Sequence, residues 1–458
     1  MQIHPKDNVE VRENGHKYAL RKISSGENII KYGFPIGHAT CDIEIGEHVH
    51  THNVKTNLEG TLEYTYSPVD CEIQKSDRKI TFEGYVRENG DVGIRNDIWI
   101  VNTVGCVNKT AQRLSALTGA KYFSHPYGCS QLGDDHLTTQ KILCAMVNHP
   151  NAGGVLVLGL GCENNNIKEM KRALGEYNPN RVKFLNCQDE DDEIGAGVSL
   201  IDELKSYADT FKRQKIDISK LRVGLKCGGS DAYSGISANP LVGSLCDTLV
   251  SLGGSCVLTE VPEMFGAEHL LMERCKSKEI FDKTVLLINN FKDYFSRHNQ
   301  VIYENPSPGN KDGGITTLEE KSLGCVQKGG HAPVVDVLDI GEPLVKNGLS
   351  LLNGPGNDMV AVTNLMASGA HIILFTTGRG TPLGAPVPTV KIATNSSLAK
   401  RKSSWIDFDA SPILDGKPMA DLTEELLSLV LEVASGKTAK NEENGYSEIA
   451  IFKEGVTL

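Results

Sequence analysis

The stretch Gly154-Val-Leu-Val-Leu-Gly-Leu-Gly-Cys-Glu163 decides the fold, because an uninterrupted apolar run passes directly into a glycine-rich loop. A strand that is apolar on both sides is typical of a parallel sheet with helices on both faces. The runs Ile98-Trp-Ile-Val101 and Val182-Lys-Phe-Leu185 repeat this arrangement, and helical patterns lie between the runs. Strands that alternate with helices predict an α/β domain with a mainly parallel sheet.

A second series of such strands follows along the chain and predicts a second α/β lobe. The series consists of residues 222–226, 255–259, 333–338 and 370–375. In open parallel sheets, ligands bind beyond the carboxyl ends of the strands. Because glycine-rich and asparagine-rich loops follow these strands, we expect the functional side chains to lie in those loops.

The chain before the two lobes has a different pattern. Residues 1–70 contain short apolar pieces between turn signals such as Glu13-Asn-Gly15, which predicts a small all-β module. The charged residues 71–83 are typical of a linker. The predicted organisation is therefore a β module (1–70), a linker (71–83) and two α/β lobes (84–215 and 216–458).

Composition argues against several classes of protein. The formal net charge of -11 argues against an electrostatic surface for nucleic acid. The sequence contains no run of about 18 apolar residues, so it predicts no membrane span. The first residues also lack the basic-then-apolar pattern of a signal peptide. We therefore expect a cytoplasmic protein. The 12 cysteines are too few for a disulfide scaffold in a chain of 458 residues.

Three histidines, His48, His50 and His52, alternate within a β-compatible stretch. Side chains two apart in a strand point to the same face, so the three imidazoles are predicted to lie together. Such a group suits iron, manganese or zinc, and it also suits proton transfer near neutral pH. The alternative interpretation is a solvated edge strand without a functional role.

The loop after Lys226 is a predicted substrate site, because it contains Gly229, Ser230 and Asp231 and precedes a helical pattern. The free amides at a helix N-terminus bind anions, and Lys226 adds a positive charge. The loop does not match the glycine motifs of nucleotide-binding sites. A purely structural strand-to-helix turn is the alternative.

Arg379 lies between two glycines, just after Thr377, at the end of a predicted strand. An arginine can clamp a carboxylate through two parallel hydrogen bonds. Thr377 and Arg379 are therefore added to the predicted substrate site, with pairing of Arg379 to a structural acid as the alternative.

Several longer motifs resemble those of the altronate/galactarate dehydratase family, and together they extend over nearly the whole chain. They include Gly46-Glu-His-Val-His-Thr-His-Asn53, His125-Pro-Tyr-Gly-Cys-Ser-Gln-Leu-Gly-Asp-Asp-His136, Gly159-Leu-Gly-Cys-Glu-Asn-Asn165, Gly228-Gly-Ser-Asp231 and Phe375-Thr-Thr-Gly-Arg-Gly-Thr-Pro382. The resemblance implies that the β module is an SAF (β-clip) domain. It also implies a hydro-lyase that acts on a sugar acid and is activated by ferrous iron or manganese.

The resemblance implies D-altronate as the substrate, with 2-dehydro-3-deoxy-D-gluconate and water as the products, in hexuronate breakdown. The His-x-His-x-His pattern favours altronate, because the galactarate-acting branch does not keep it. Loss of water from such an acid requires removal of the C2 proton beside a carboxylate. A divalent cation offsets the charge that develops, while a base and an acid move the protons.

Within this chemistry, we assign His48 and His50 to the metal or to proton abstraction, and His52 to a supporting role. The predicted auxiliary metal ligands are Cys129, Cys162 and Glu163. The carboxylate and hydroxyl groups of the substrate are assigned to Lys226, Ser230 and Arg379. The expected partner is the small-molecule substrate, and the expected assembly is a homodimer.

Three alternatives remain open. The first is galactarate dehydratase or another 2-hydroxy-acid lyase of the same family. The second is an iron–sulfur enzyme, since four cysteines that stand beside glycines could hold a cluster: Cys106, Cys129, Cys162 and Cys227. The third is a non-catalytic sensor of sugar acids, which the lack of a helix-turn-helix pattern disfavours.

Overall fold

A computed structural model describes residues 1–60, 62–303, 306–455 and 457. The N-terminal module consists of two three-stranded antiparallel sheets, with strand orders β1-β2-β5 and β3-β4-β6. Their strands are β1 (Val9–Val11), β2 (Lys17–Ala19), β3 (Asn28–Lys31), β4 (Phe34–Ala39), β5 (His48–Val49) and β6 (Val54–Lys55). Fully buried isoleucines such as Ile23, Ile29 and Ile36 fill the module, which confirms the predicted all-β character.

The next lobe contains a four-stranded parallel sheet of order β10-β9-β11-β12, with helices on both faces. The antiparallel strands β13, β7 and β8 form a separate small sheet. Its residues Phe82, Val92 and Ile216 belong to the same apolar cluster as the core of the C-terminal lobe. The strands are β7 (Thr81–Val86), β8 (Val92–Gly93), β9 (Asp97–Asn102), β10 (Lys121–Phe123), β11 (Ala152–Gly159), β12 (Val182–Asn186) and β13 (Gln214–Asp217). The helices are α1 (Asn108–Thr118), α2 (Gly133–Asn148), α3 (Ile167–Leu174) and α4 (Glu193–Ala208).

The C-terminal lobe is built on a seven-stranded parallel sheet of order β16-β17-β15-β14-β18-β19-β20. Its strands are β14 (Arg222–Cys227), β15 (Ser255–Leu258), β16 (Val334–Leu338), β17 (Gly348–Leu352), β18 (Ile372–Thr377), β19 (Thr389–Ala393) and β20 (Phe408–Asp409). Its helices are α5 (Ala238–Ser251), α6 (His269–Met272), α7 (Lys278–Arg297), α8 (Pro308–Asp312), α9 (Leu318–Cys325), α10 (Asp358–Ala367), α11 (Ser396–Arg401), α12 (Met419–Ala434) and α13 (Lys440–Glu443). The predicted α/β architecture with mainly parallel sheets is confirmed.

Both parallel sheets form where continuous apolar runs were found in the sequence. The side chains of β11 and β18 are buried along their whole length, so each strand must be covered on both faces. One apolar cluster joins the two lobes, since it contains Trp99 and Val155 of the first sheet together with Ile373 and Phe375 of the second.

A segment without strands, residues 62–80, connects the module to the lobes and lies along the C-terminal lobe. The Val69 amide donates to the Glu273 carbonyl (2.9 Å), and the Ser76 amide donates to the Ser251 carbonyl (2.9 Å). No helix in the described part of the chain is long and apolar enough to cross a membrane.

Candidate functional site

Four imidazoles form a cluster in the N-terminal module. The ring centroid of His48 lies 5.0 Å from that of His16 and 5.5 Å from those of His50 and His52. His48 Nε2 and His16 Nδ1 lie 3.1 Å apart and share a hydrogen bond. The three histidines of the sequence motif are therefore brought together, and His16 joins them.

The predicted continuous strand through the three histidines is wrong, because β5 ends at Val49. His50 to Asn53 instead form a turn, in which the Asn53 amide donates to the His50 carbonyl (3.0 Å). The Asn53 side chain closes this turn by donating to the His48 carbonyl (2.9 Å). The rings meet because the turn folds them back, and strand alternation does not explain their position.

Two imidazoles of the cluster, those of His50 and His48, favour the neutral form. Partial burial lowers the pKa of His50 to about 4, with further lowering by the positive charge of Lys17 and by His16 and His48. Burial, His16 and His52 lower the pKa of His48 as well. Neutral rings have a free nitrogen lone pair, which is the state that binds a metal ion or accepts a proton.

The cluster faces the C-terminal lobe across an interface of buried charges. His50 Nδ1 lies 3.3 Å from Thr316 Oγ1. Just behind it, Glu320 on the fully buried helix α9 pairs with Lys17 (2.8 Å) and Lys31 (2.7 Å) of the module. Lys17 also donates to the Gly314 carbonyl (2.6 Å). These contacts fix the histidines against segment 314–320.

A cavity of about 500 Å³ lies beside this segment, at the carboxyl edge of the seven-stranded sheet. Its walls come from the β1–β2 turn of the module, the loops after β14 and β18, and the ends of α8 and α11. The lining residues are Asn14, Gly15, Asp231, Tyr233, Asp312, Gly313, Gly378, Arg379 and Arg401. The histidines do not line this cavity, but two of its lining residues lie close to them in the chain. Gly15 precedes His16, and Gly313 lies three residues before Thr316, which His50 contacts.

The predicted substrate-binding residues fall into two groups. Arg379 and Asp231 line the cavity, whereas the side chains of Lys226, Ser230 and Thr377 are buried in the lobe. Lys226 forms ion pairs with Glu260 and with Asp358 (2.8 Å). Each of the three buried polar groups already has a protein partner, since Ser230 Oγ lies 2.7 Å from Cys227 Sγ and Thr377 Oγ1 accepts from the Gly380 amide (2.8 Å).

Gly229 and Asp231 hold the loop that carries Arg379. The Gly229 carbonyl accepts hydrogen bonds from the Gly378 amide (3.0 Å) and the Arg379 amide (3.1 Å). Asp231 accepts from the Thr394 hydroxyl (2.9 Å) and the Asn395 side chain (3.1 Å), and burial raises its pKa. A Cβ atom at Gly378 would lie 2.2 Å from Asp231 Cγ, so only glycine fits there.

The predicted auxiliary ligands Cys129, Cys162 and Glu163 belong to the other lobe. Both thiols are exposed, and the Glu163 carboxylate accepts hydrogen bonds from the Thr103 hydroxyl and from the Gly161 amide (2.6 Å). Among the residues that the structure describes, no group of three or more His, Cys, Asp or Glu side chains is arranged to hold a metal ion. The metal roles of these residues and of the histidines stay predictions.

The four-cysteine set of the iron–sulfur alternative is divided between the two sheets. Cys106, Cys129 and Cys162 are exposed on loops of the four-stranded sheet. Cys227 is buried at the end of β14, against Ser230.

Sequence reasoning missed His16, Glu320 and Arg401. His16 reaches the cluster because β2 pairs antiparallel with β5, with Tyr18 opposite His48. The turn signal at Asn14-Gly15 could have indicated a hairpin next to His16. Glu320 belongs to the motif Thr317-Leu-Glu-Glu320, which indicates the start of a helix, and the Thr317 side chain does accept from the Glu320 amide (3.3 Å). The ion pairs of Glu320 and the position of Arg401 are shown only by the tertiary structure.

Comparisons with known proteins cover all three regions. The family model described as "Altronate/galactarate dehydratase SAF domain" matches residues 2–57. The models described as "D-galactarate dehydratase/Altronate hydrolase, second domain" and "D-galactarate/Altronate dehydratase, C-terminal" match residues 84–209 and 218–457.

Three characterised relatives are similar over nearly the whole chain. Altronate dehydratase of Bacillus subtilis (strain 168) is 54% identical over 465 residues, which cover 98% of this chain and 94% of the relative. Altronate dehydratase of Escherichia coli (strain K12) is 53% identical over 457 residues, with 97% and 92% covered. Galactarate dehydratase (L-threo-forming) of the same E. coli strain is 31% identical over 479 residues, with 97% and 91% covered.

Proposed function

Because this chain belongs to the D-galactarate/altronate dehydratase family, we propose that it is a hydro-lyase that converts D-altronate to 2-dehydro-3-deoxy-D-gluconate and water. Identities of 53–54% to two altronate dehydratases, against 31% to a galactarate dehydratase, support altronate over galactarate. The family does not by itself identify the residues that act, so their roles are derived from the site.

The reaction needs a base, an acid and a group that holds the carboxylate. A base removes the proton from C2, and the electron pair of that C–H bond forms the C2–C3 double bond. The C3–O bond breaks, and the departing hydroxyl takes up a proton and leaves as water. The resulting enol then becomes the 2-keto acid.

The observation that carries the assignment is the position of the histidine cluster next to the cavity that contains Arg379. His16 follows the cavity residue Gly15, and His50 contacts Thr316, three residues after the cavity residue Gly313. Arg379 is exposed to this cavity, and its guanidinium can bind a carboxylate through two hydrogen bonds. A substrate held there by its carboxylate would have C2 next to the bound end, on the side where the module contributes its imidazoles.

His50 is the candidate base. With Nδ1 at hydrogen-bonding distance from Thr316, its Nε2 atom remains to accept a proton or bind a metal ion. The lowered pKa keeps the ring unprotonated at neutral pH, so no proton has to leave before catalysis. His48 shares a hydrogen bond with His16, and the exposed His52 is placed to support it.

Ferrous iron or manganese fits the donor set of this cluster. Imidazole nitrogens suit iron, and the ring centroids of His16, His48 and His50 lie 5.0 to 5.5 Å from one another. We propose that His48 and His16 hold the metal while His50 acts as the base. The alternative is His50 as a metal ligand, since its free Nε2 cannot do both. Such an ion would supply a positive charge that offsets the charge developing on the substrate.

A substrate panel tests the proposed function. Purified protein is incubated anaerobically with ferrous iron and with D-altronate, D-galactonate, D-gluconate or galactarate, and 2-keto acid is measured. We expect D-altronate to react fastest. Galactarate reacting while altronate stays inert would replace the proposal with the galactarate alternative.

The cytoplasmic location and the homodimer stay predictions. Light scattering on the purified protein tests the homodimer, because it distinguishes the 49.7 kDa monomer from a dimer.

A further inference from the structure

Three charged side chains face the cavity beside the histidine cluster without a partner. Arg379, Arg401 and Asp312 all line the cavity and are exposed. Their side chains make no hydrogen bond or ion pair with any other residue that the structure describes. Asp231 differs, since its oxygens already accept hydrogen bonds from Thr394 and Asn395. The cavity therefore offers two free guanidinium groups and one free carboxylate.

The segments that carry the two arginines are tied to each other. Asn395 caps helix α11, because its side-chain oxygen accepts from the Leu398 amide (2.9 Å), and Arg401 is the last residue of that helix. The side-chain amide of Asn395 donates to the Gly378 carbonyl (3.2 Å), next to Arg379. One residue thus fixes both segments, so the fold sets the backbone positions of the two arginines at the cavity.

Two guanidiniums that line one cavity suit an anion with several acceptor oxygens, such as a carboxylate. Each guanidinium has five N–H donors in a fixed plane, while an ionised carboxylate accepts about four hydrogen bonds and donates none. We propose that Arg401 joins Arg379 in holding the carboxylate of the substrate. This inference rests on the proposed function and names a residue that contacts substrate.

Asp312 extends the inference to the class of acid. Its carboxylate accepts hydrogen bonds from sugar hydroxyls, but it repels a second carboxylate that enters the same cavity. A hexonate has one carboxylate and a chain of hydroxyls, whereas an aldarate has a carboxylate at each end. With two arginines and one free aspartate, the cavity selects the hexonate.

Trp405 provides a readout of binding that does not depend on turnover. The chain has two tryptophans, and Trp99 is fully buried in the other lobe. Trp405 lies against the loop of Arg379, since a Cβ atom at Gly380 would be 3.6 Å from its ring. Binding at the arginines should therefore change Trp405 fluorescence, and Trp405→Phe should abolish the change.

The experiment titrates metal-stripped protein, in EDTA, with D-altronate or galactarate. We expect Arg401→Gln to weaken D-altronate binding about ten- to a hundredfold, with partial recovery in Arg401→Lys. The matched control is Lys400→Gln, on the same helix but outside the cavity lining, which should bind as the wild type does. Asp312→Asn should tighten galactarate binding about tenfold while D-altronate binding weakens or stays unchanged.

Two outcomes overturn the inference: D-altronate bound equally well by Arg401→Gln and the wild type, or galactarate binding unaffected by Asp312→Asn. The proposed function fails separately, when wild-type protein with iron dehydrates no sugar acid. In that case, binding that depends on Arg401 would still establish the carboxylate site. In an active enzyme, an unchanged KM in Arg401→Gln would exclude Arg401 from that site.

Discussion

The two parallel sheets present similar carboxyl edges, but they differ in which part of the chain lies on them. Loops after β9, β10 and β11 of the four-stranded sheet expose Cys106, Cys129 and Cys162. These loops are tied to each other, since the Gly105 amide donates to the Tyr127 carbonyl (2.9 Å) and the Asn165 amide to the Gly128 carbonyl (3.0 Å).

The edge of the seven-stranded sheet lies under the N-terminal module. The module adds four imidazoles and two buried lysines to loops that already carry arginines, and a cavity remains between the two. The comparison teaches that sheet topology places both sets of loops where ligands bind. At the second edge, a separate domain supplies the additional functional groups.

The sharpest test of this comparison replaces one residue at each edge. We expect His50→Ala to lower turnover of D-altronate about a thousandfold, because the candidate base is lost. Cys162→Ser should lower it less than about tenfold, since its thiol is exposed on the other lobe. Turnover and bound iron are measured for both variants.

If Cys162→Ser lowered turnover more than His50→Ala, the active centre would lie at the carboxyl edge of the four-stranded sheet. Brown anaerobic protein that contains sulfide as well as iron would then support the iron–sulfur alternative. His38→Ala is the matched control within the module, because His38 pairs with Asn57 (2.7 Å) outside the cluster.

The next largest effect should come from the ion pair that fixes the module. Glu320→Gln leaves the ammonium groups of Lys17 and Lys31 buried without a counter-charge, so we expect a loss of about 3–5 kcal/mol in unfolding free energy. Glu424→Gln is the control, because the Arg78–Glu424 pair is half exposed and should contribute less than about 1 kcal/mol. Urea denaturation measures both, and equal effects would contradict the assignment.

The same carboxylate predicts acid sensitivity. Burial raises the pKa of Glu320, but the charges of Lys17 and Lys31 outweigh it and lower the pKa from 4.5 to about 2. Its stabilisation is therefore complete above pH 4.5 and is lost as the pH falls from 4.5 towards 2. The difference corresponds to about 3 kcal/mol. Denaturation at a series of pH values should show this slope in the wild type and a smaller slope in Glu320→Gln.

The sequence predicted the fold because the central strands contain apolar runs that are buried on both faces. Residues 98–101 and 154–158 lie within β9 and β11, and residues 222–226 lie within β14. Burial on both faces leaves a signal that needs no partner to be recognised. The short strands of the module are harder to place, and β5 ended one residue before His50.

The site was predicted only in part, because most of its members meet through tertiary contacts. Arg379 and the three-histidine motif could be found from local patterns, but His16 depends on strand pairing and Arg401 on the packing of α11. The glycine-rich loop after β14 was recognised, yet the inward direction of Lys226 and Ser230 was not. Local sequence indicates which residues can do chemistry and leaves open whether they face solvent or the interior.

The segment formed by residues 62–80 limits how the module can move. Its contacts at Val69 and Ser76 anchor the connection on the same lobe that the module covers. A tether held in this way keeps the module at a local concentration on the order of millimolar around its own docking surface. After any transient separation, the module would return to its own chain before it could exchange with a neighbouring molecule.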